Sequence, residues 1–177
     1  MIINKIDFYI SSNIHNLYNP ILNKIMIFIT YIDNPLPVFI LSVILTAYFI
    51  YKKMFFELKF FIVSMLTSSI LVFIIKNIVQ RPRPIHKLIE VSGYSFPSGH
   101  ATISTTLALS LYLIFKNKTS YKNLLLLFTI AYPIIISFTR VYLNVHYLSD
   151  VLCGIVLGSV CVSLVYITLK EKNEAKI

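Results

Sequence analysis

The chain has 177 residues, 57% of them hydrophobic and 13% charged, against about 45 to 50% apolar and about 25% charged in ordinary soluble domains. With a mean hydropathy of +0.78 and only 4 glycines, this excludes soluble globular, collagen-like and disordered classes and leaves a one-domain integral membrane protein, residues 1–177. The net charge of +9, from 16 Lys+Arg against 7 Asp+Glu, fits nucleic acid, anionic lipid or topology signals equally well, so its distribution must decide.

From the N-terminus, Met1 to Ile10 carries Lys5 and Asp7 among apolar residues and lacks the basic, apolar, small-residue order of a cleaved signal, so it is expected in the mature protein. Across Ile6 to Leu17, Ile6, Ile10, Ile14 and Leu17 recur at helical spacing while Ser11, Ser12, His15 and Asn16 supply a polar side. The pattern predicts an amphipathic helix lying in the membrane interface.

A spanning helix needs about 17 to 25 apolar residues. Asn34–Tyr51, Phe60–Ile75, Ala101–Phe115, Asn123–Thr139 and Val151–Leu169 meet or approach that length, and Pro20–Ile32, broken by Lys24, is a sixth and weaker candidate. Pro133 predicts a kink in the fifth of these six runs. The expected fold is therefore all-α: a six-transmembrane-helix bundle preceded by the N-terminal interfacial helix. Cys153 and Cys161 fall eight apart on the last helix, about 12 Å, too far for a disulfide.

Lys52, Lys53 and Lys59, then Lys116, Lys118 and Lys122, then Lys170, Lys172 and Lys176 flank the runs as three basic clusters, which the positive-inside tendency places in the cytoplasm. Six spans put both termini there too, and bring the loops Gln80–Gly99 and Arg140–Asp150 together on the external side. Those loops and their flanks should be poor in basic residues, yet they carry Lys76, Arg81, Arg83, Lys87 and Arg140, including every arginine in the chain. A guanidinium offers a planar fork of donors suited to phosphate oxygens, and a bound anion is the simplest reason for arginines placed against the topology rule.

Three segments border these loops. In Lys76-Asn-Ile-Val-Gln-Arg-Pro-Arg83-Pro84, a lysine and an arginine seven positions on can converge on one anion, with Pro82 and Pro84 stiffening the backbone; the segment also reads as a basic membrane flank. In Phe96-Pro97-Ser98-Gly99-His100, Ser98 is placed to cap a helix whose free N–H groups favour an anion, Gly99 permits close approach, and His100 emerges at the same mouth; an ordinary cap with an incidental histidine has the same sequence. In Thr139-Arg140 through His146 to Asp150, the four-residue spacing places His146 and Asp150 on one helix face, where the carboxylate can take the Nδ1 proton and leave Nε2 as a nucleophile. A surface His-Asp pair would also satisfy that spacing. Three such segments on one membrane face fit phosphoryl transfer to histidine, which demands cations around the equatorial oxygens and an in-line nucleophile and leaving group.

The segments resemble the signatures K-x6-R-P, P-S-G-H and S-R-x5-H-x3-D of the type 2 phosphatidic acid phosphatase superfamily, which also contains vanadium haloperoxidases; they match Lys76 to Pro84, Pro97 to His100 and Arg140 to Asp150, within signature region 76–150. Thr139 replaces the usual serine and keeps its hydroxyl. The resemblance implies that His146 attacks phosphorus and Asp150 orients it. It implies that His100 protonates the leaving oxygen and later helps activate water, and that Lys76, Arg83, Arg140, the Ser98 hydroxyl and the N–H groups around Gly99 hold the phosphate. It implies no metal and no other cofactor, and the four scattered histidines show no metal spacing. Arg81 and Lys87 read as interfacial residues or as contacts to a headgroup or outer phosphate, His86 as solvated, and Tyr94, Phe96, Tyr142 and Tyr147 as an interfacial aromatic belt or as substrate contacts.

The expected activity is removal of a terminal phosphate from a membrane lipid phosphate at the external leaflet, with undecaprenyl pyrophosphate first among substrates and phosphatidylglycerophosphate or phosphatidic acid as alternatives. A haloperoxidase would act on a soluble substrate, which six apolar spans disfavour. A small transporter would bury ionisable residues along its spans, and the five better runs have none in their interiors. The expected partners are the bilayer and its anionic lipid, with no nucleic acid; oligomeric state has no signature in the chain.

Overall fold

The computed structural model describes residues 2–174. Among them every regular element is helical: α1 Ile2–Asn13, a 3-10 turn Ile14–Leu17, α2 Pro20–Ile32, α3 Pro35–Tyr51, α4 Phe55–Val79, α5 Gly99–Phe115, α6 Lys122–Tyr142 and α7 Leu148–Glu174. Each of α2 to α7 grows from one apolar run, and local chemistry sets the ends. Asn19 caps α2 through its Oδ1, which accepts the Ile21 N–H at 2.9 Å, with Pro20 in the first turn where its missing N–H costs nothing. Gln80 ends α4 in the left-handed region at φ 49°.

α5 is the central helix, packed against α4, α6 and α7. Its buried positions include Ala101, Thr102, Ser104, Thr105, Thr106, Ala108 and Ser110, small residues that let helix backbones approach and hydroxyls that bond within or between helices, such as Thr106 Oγ1 to Ser68 Oγ at 2.8 Å. The approach is closest at α7. A Cβ on Gly154 would lie 2.8 Å from the Ser98 carbonyl oxygen, and one on Gly158 would lie 2.6 Å from that of Thr102. Next along the same helices, an apolar core forms around Phe49, Phe60, Phe61, Leu107 and Val162. Cys153 and Cys161 are both free thiols.

The helix directions gather the signature segments at one end of the bundle, where α4 and α6 finish and α5 and α7 begin. The opposite end holds the lysine-rich connections, with Lys118 bonded to Glu57 across them. The charge thus falls into two spatial populations, as the sequence predicts; Lys176 lies outside the described residues.

The six-span count and the interfacial N-terminal helix are not confirmed. Three helices, α4, α6 and α7, are each long and apolar enough to cross a membrane, while α5 is apolar but shorter; α2 and α3 qualify only as a pair, bent by 41° at Asp33-Asn34. A 13-residue α2, about 20 Å long, falls short of a span by itself, so the six-span count is not confirmed. Moreover α1 docks at the end that holds the signature residues, with Asp7 bonded to Ser149 and Arg81 and Ser11 bonded to Asn144, whereas α7 runs to the far end. The two ends of the described chain therefore lie at opposite ends of the bundle. α1 also differs in its faces: Asp7 and Ile14 are buried against the protein, while Ile3, Ile6, Phe8 and Leu17 point outward. Asp7 is held against the protein by its bonds to Ser149 and Arg81.

Candidate active site

His146 lies in the turn between α6 and α7, not on a helix. Asn144, at φ 53° in the left-handed region that asparagine tolerates, reverses the chain there. Its side chain secures the turn by donating to the Ser11 and His86 carbonyls at 3.2 and 3.0 Å. Asp150 follows as the third residue of α7, and its Oδ2 reaches back to the Tyr147 N–H at 2.9 Å, the return half of a capping box. The expected His146–Asp150 pairing is thus present, but helix capping creates it and a common helix face does not.

The imidazole is buried, at 2% exposure. Its Nδ1 lies 3.4 Å from Asp150 Oδ2 and 3.4 Å from Ser95 Oγ, whose hydroxyl donates to the same Oδ2 at 2.5 Å. On the other side of the ring, Arg83 Nη1 approaches Nε2 at 3.1 Å. A guanidinium can only donate, so Nε2 carries its lone pair and the proton sits on Nδ1, facing the carboxylate. Burial, opposed by the bond to Asp150 and reinforced by the Arg83 and Arg140 charges, draws the His146 pKa from 6.5 down to about 3. The ring is neutral at physiological pH.

Arg83 is fixed by carbonyls as well as by the imidazole: Nη1 donates to Val145 at 2.8 Å, Nε to Gly93 at 2.9 Å and Nη2 to Ser92 at 3.1 Å. Burial lowers its pKa, and the Asp150 charge opposes that shift. Lys76, in the last turn of α4, donates to the Tyr94 and Ser95 carbonyls at 2.6 and 3.3 Å. Arg140, 2% exposed near the end of α6, donates from Nη1 to Thr30 Oγ1 at 2.6 Å, and its buried Nε has no partner among the described residues. Ser98 caps α5 through the Ala101 N–H at 3.4 Å and donates its own N–H to the Asp150 carbonyl at 3.0 Å. At Gly99 a Cβ would meet only a Val72 methyl, at 3.7 Å, so protein packing does not require the glycine. Thr139 is buried, with its hydroxyl on the Ile136 carbonyl at 2.7 Å.

All eight sequence-predicted residues therefore meet at one end of the bundle. His100 is near enough to the Arg140, Arg83 and Lys76 cations for their charges to act on it. Among the described residues no three of His, Cys, Asp or Glu come together as metal ligands would. A cavity of about 590 Å³ leads away from Gly99 and His100 between α3, α4 and α5, past Val38, Phe39, Met65 and Leu66. The walls are largely apolar, with Asp33, Ser42, Thr46 and Ser69 among them, and Phe39 and Leu66 are exposed on the outer surface.

The sequence reading passed over Arg81, Asp7, Ser95 and Asn34. Arg81 Nη1 donates to Asp150 Oδ1 and to Ser149 Oγ, and Nη2 to Asp7 Oδ2, each at 2.7 Å. Burial alone would lower its pKa; the Asp7 bond and the Asp150 charge outweigh that and raise it. Asn34, at the α2–α3 break, lies with Oδ1 3.1 Å from His100 Nε2. Proximity of Arg81 to Arg83 in a fixed R-P-R-P run was the one available hint, and the other three carry none.

A helical bundle with an oriented imidazole among fixed cations at its end defines a membrane protein of phosphoryl-transfer type. A model described as the PAP2 superfamily matches residues 57–174, and the chain belongs to that family. Its relatives include phosphatidylglycerophosphatase B of Bacillus subtilis, 31% identical over 145 residues that cover 78% of this chain and 71% of the relative. An undecaprenyl-diphosphatase of Sulfolobus acidocaldarius is 43% identical over 68 residues, 38% of this chain and 30% of that protein. The crystal structure of a transmembrane PAP2-type phosphatidylglycerolphosphate phosphatase from Bacillus subtilis superposes with a TM-score of 0.82 at 29% identity, covering 95% of this chain and 86% of that one. Aquifex aeolicus LpxE shares the fold, with a TM-score of 0.72 at 24% identity over 90% of this chain and 94% of that one. The protein is a membrane enzyme, a phosphatase of the PAP2 family.

Proposed function

We propose that this phosphatase removes a terminal phosphate from a membrane lipid through a phosphohistidine on His146. The observation that carries the reading is the ring's polarity: Asp150 and Ser95 take the Nδ1 side, and Nε2 faces the Arg83 guanidinium with its lone pair available. An incoming phosphate takes the place of that contact, exchanging the imidazole for its own oxygens on Arg83. Lys76, Arg140 with its unpartnered Nε, and the N–H groups at Gly99 complete the charge that develops on the equatorial oxygens. Nε2 bonds to phosphorus, the bond to the lipid oxygen breaks, and His100 supplies that oxygen with a proton. Water then attacks the phosphorus while His100 takes its proton, the P–N bond breaks, and phosphate leaves.

The apolar cavity beginning at His100 gives the substrate's tail a path from the headgroup into the bilayer, which supports a lipid over a soluble ester. Phosphatidylglycerophosphate is the first substrate to test, because the relative so named is matched across 71% of its length and the diphosphatase across 30%; undecaprenyl pyrophosphate and phosphatidic acid follow. The bent α2–α3 pair with α4, α5, α6 and α7 gives five membrane crossings, with the lysine-rich end cytoplasmic and the site and α1 at the external face. Fixed cations supply the electrostatic stabilisation, so purified protein in detergent releases phosphate from phosphatidylglycerophosphate in EDTA. Release that requires added metal, or none from any of the three lipids, contradicts the reading.

A further inference from the structure

We propose that Asn34 is a positioning residue that holds His100 for proton transfer to the leaving oxygen. The inference rests on the phosphatase reading above and concerns a residue outside the 57–174 segment that the family model matches. Asn34 occupies the N-cap position of α3 with extended backbone, φ −66° and ψ 156°, where an asparagine side chain ordinarily accepts an N–H of the first turn. It makes no such bond. Its Oδ1 instead lies 3.1 Å from His100 Nε2, so the carboxamide that would stabilise its own helix is committed to another one.

The corner that carries Asn34 is anchored independently of His100. The Asp33 and Asn34 N–H groups close the end of α2 on the Thr30 and Tyr31 carbonyls at 3.2 Å each, and the Tyr132 hydroxyl of α6 donates to Asp33 Oδ1 at 2.6 Å. An acceptor held this firmly keeps a proton on Nε2. His100 Nδ1, which has no partner among the described residues, is then the nitrogen that exchanges a proton with substrate. In the acid form the ring carries both protons; Nδ1–H passes to the lipid oxygen as its bond to phosphorus breaks, leaving the neutral tautomer that Asn34 already fits. In the second step the Nδ1 lone pair receives the proton of the attacking water. One tautomer thus serves both half-reactions.

Positioning of a general acid is tested by the leaving group. A lipid phosphate monoester departs as an alkoxide and needs the proton, whereas p-nitrophenyl phosphate departs as a stable anion and does not. Asn34→Leu in the full-length protein is expected to slow the first half-reaction, read as the single-turnover rate of label transfer from phosphatidic acid to the enzyme, about 10- to 100-fold, the lower part of the range for acid–base catalysis, and the rate of the p-nitrophenolate burst less than about 5-fold. His100→Asn should show the same selectivity in that half-reaction, and the double variant no further loss on the lipid. A p-nitrophenolate burst of parental amplitude certifies that each variant is folded. Equal losses on both substrates, no loss on either, or additive losses in the double variant would overturn the role of Asn34 while leaving the phosphatase reading standing. Failure of the unsubstituted protein to release phosphate from either ester overturns that reading, and the role of Asn34 with it.

Discussion

Arg81 grips Asp150: its Nη1 lies 2.7 Å from Oδ1 of the carboxylate that faces His146. The other arm of the guanidinium holds Asp7 of α1 at the same distance, and the plane lies 4.1 Å over the Tyr147 ring. Asp150 is fully buried and Asp7 is 1% exposed, so neither carboxylate has water as a substitute for the arginine. α1 is thereby wired to the carboxylate that orients the imidazole.

Removing one member of a buried ion pair leaves the others uncompensated, at a cost of about 3 to 5 kcal/mol. Asp7→Ala should lose stability of that order and release α1, and Arg81→Ala should lose at least as much and also disorient Asp150. Cys161 is buried in α7 and Cys153 is exposed, so thermal unfolding followed by a thiol-reactive dye in a Cys153→Ser background reads the effect. An unchanged midpoint in Asp7→Ala would show that α1 is not anchored through this contact.

Burial of a neutral His146 fixes the sign of a pH effect. The pKa is about 3 in the folded chain against 6.5 for an ordinary histidine, so between those values the unfolded chain binds a proton that the folded one refuses. Stability therefore falls as pH drops from 6.5 towards 3, and this contribution is fully present above 6.5. Asp150, Arg83 and Arg140 are the charges facing the ring. In His146→Gln the midpoint of unfolding should decline less steeply between pH 6.5 and 4 than in the parent protein; equal slopes would contradict the buried neutral ring.

At Gly154 and Gly158 the two closest helices leave no room for a methyl group. Gly158→Ala forces its Cβ towards the Thr102 carbonyl and should cost about 1 to 3 kcal/mol, the range for overpacking. Gly154→Ala pushes on the Ser98 carbonyl, at the entrance of the phosphate site, and should lower kcat/KM in addition. The same thermal assay, paired with phosphate release, separates the two; equal activity loss in both would mean that the effect is global.

Arg83 contributes four donated contacts through a planar fork, and lysine keeps only the charge. Arg83→Lys should raise the inhibition constant for inorganic phosphate and lower kcat/KM by about 10- to 100-fold, corresponding to one or two charge-assisted hydrogen bonds. Inhibition by phosphate that is unchanged would remove Arg83 from the phosphate site.

Much of this architecture could be read before any coordinates. The apolar runs anticipated α2 to α7 because a membrane helix must be apolar along its length, and motif spacing anticipated the convergence of Lys76, Arg83, His100, Arg140, His146 and Asp150. What escaped was tertiary. Hydrophobic spacing in α1 gives no sign that Asp7 has a buried partner 74 residues away, because periodicity does not encode such a pairing. Counting Pro20–Ile32 as a span followed from composition, whereas the 41° bend into α3 makes it part of another. Asn34 is only the first residue of an apolar run in the sequence, and the position of His100 alone gives its side chain a partner.

The central claim is the covalent intermediate on His146. Lipid phosphate carrying a radioactive terminal phosphoryl group, mixed with enzyme and quenched in milliseconds with alkali, should leave label on the protein that survives base, is lost in acid, and is absent from His146→Gln. Label that persists in His146→Gln, or rapid phosphate release by the parent protein with no labelled enzyme at any time, would contradict it.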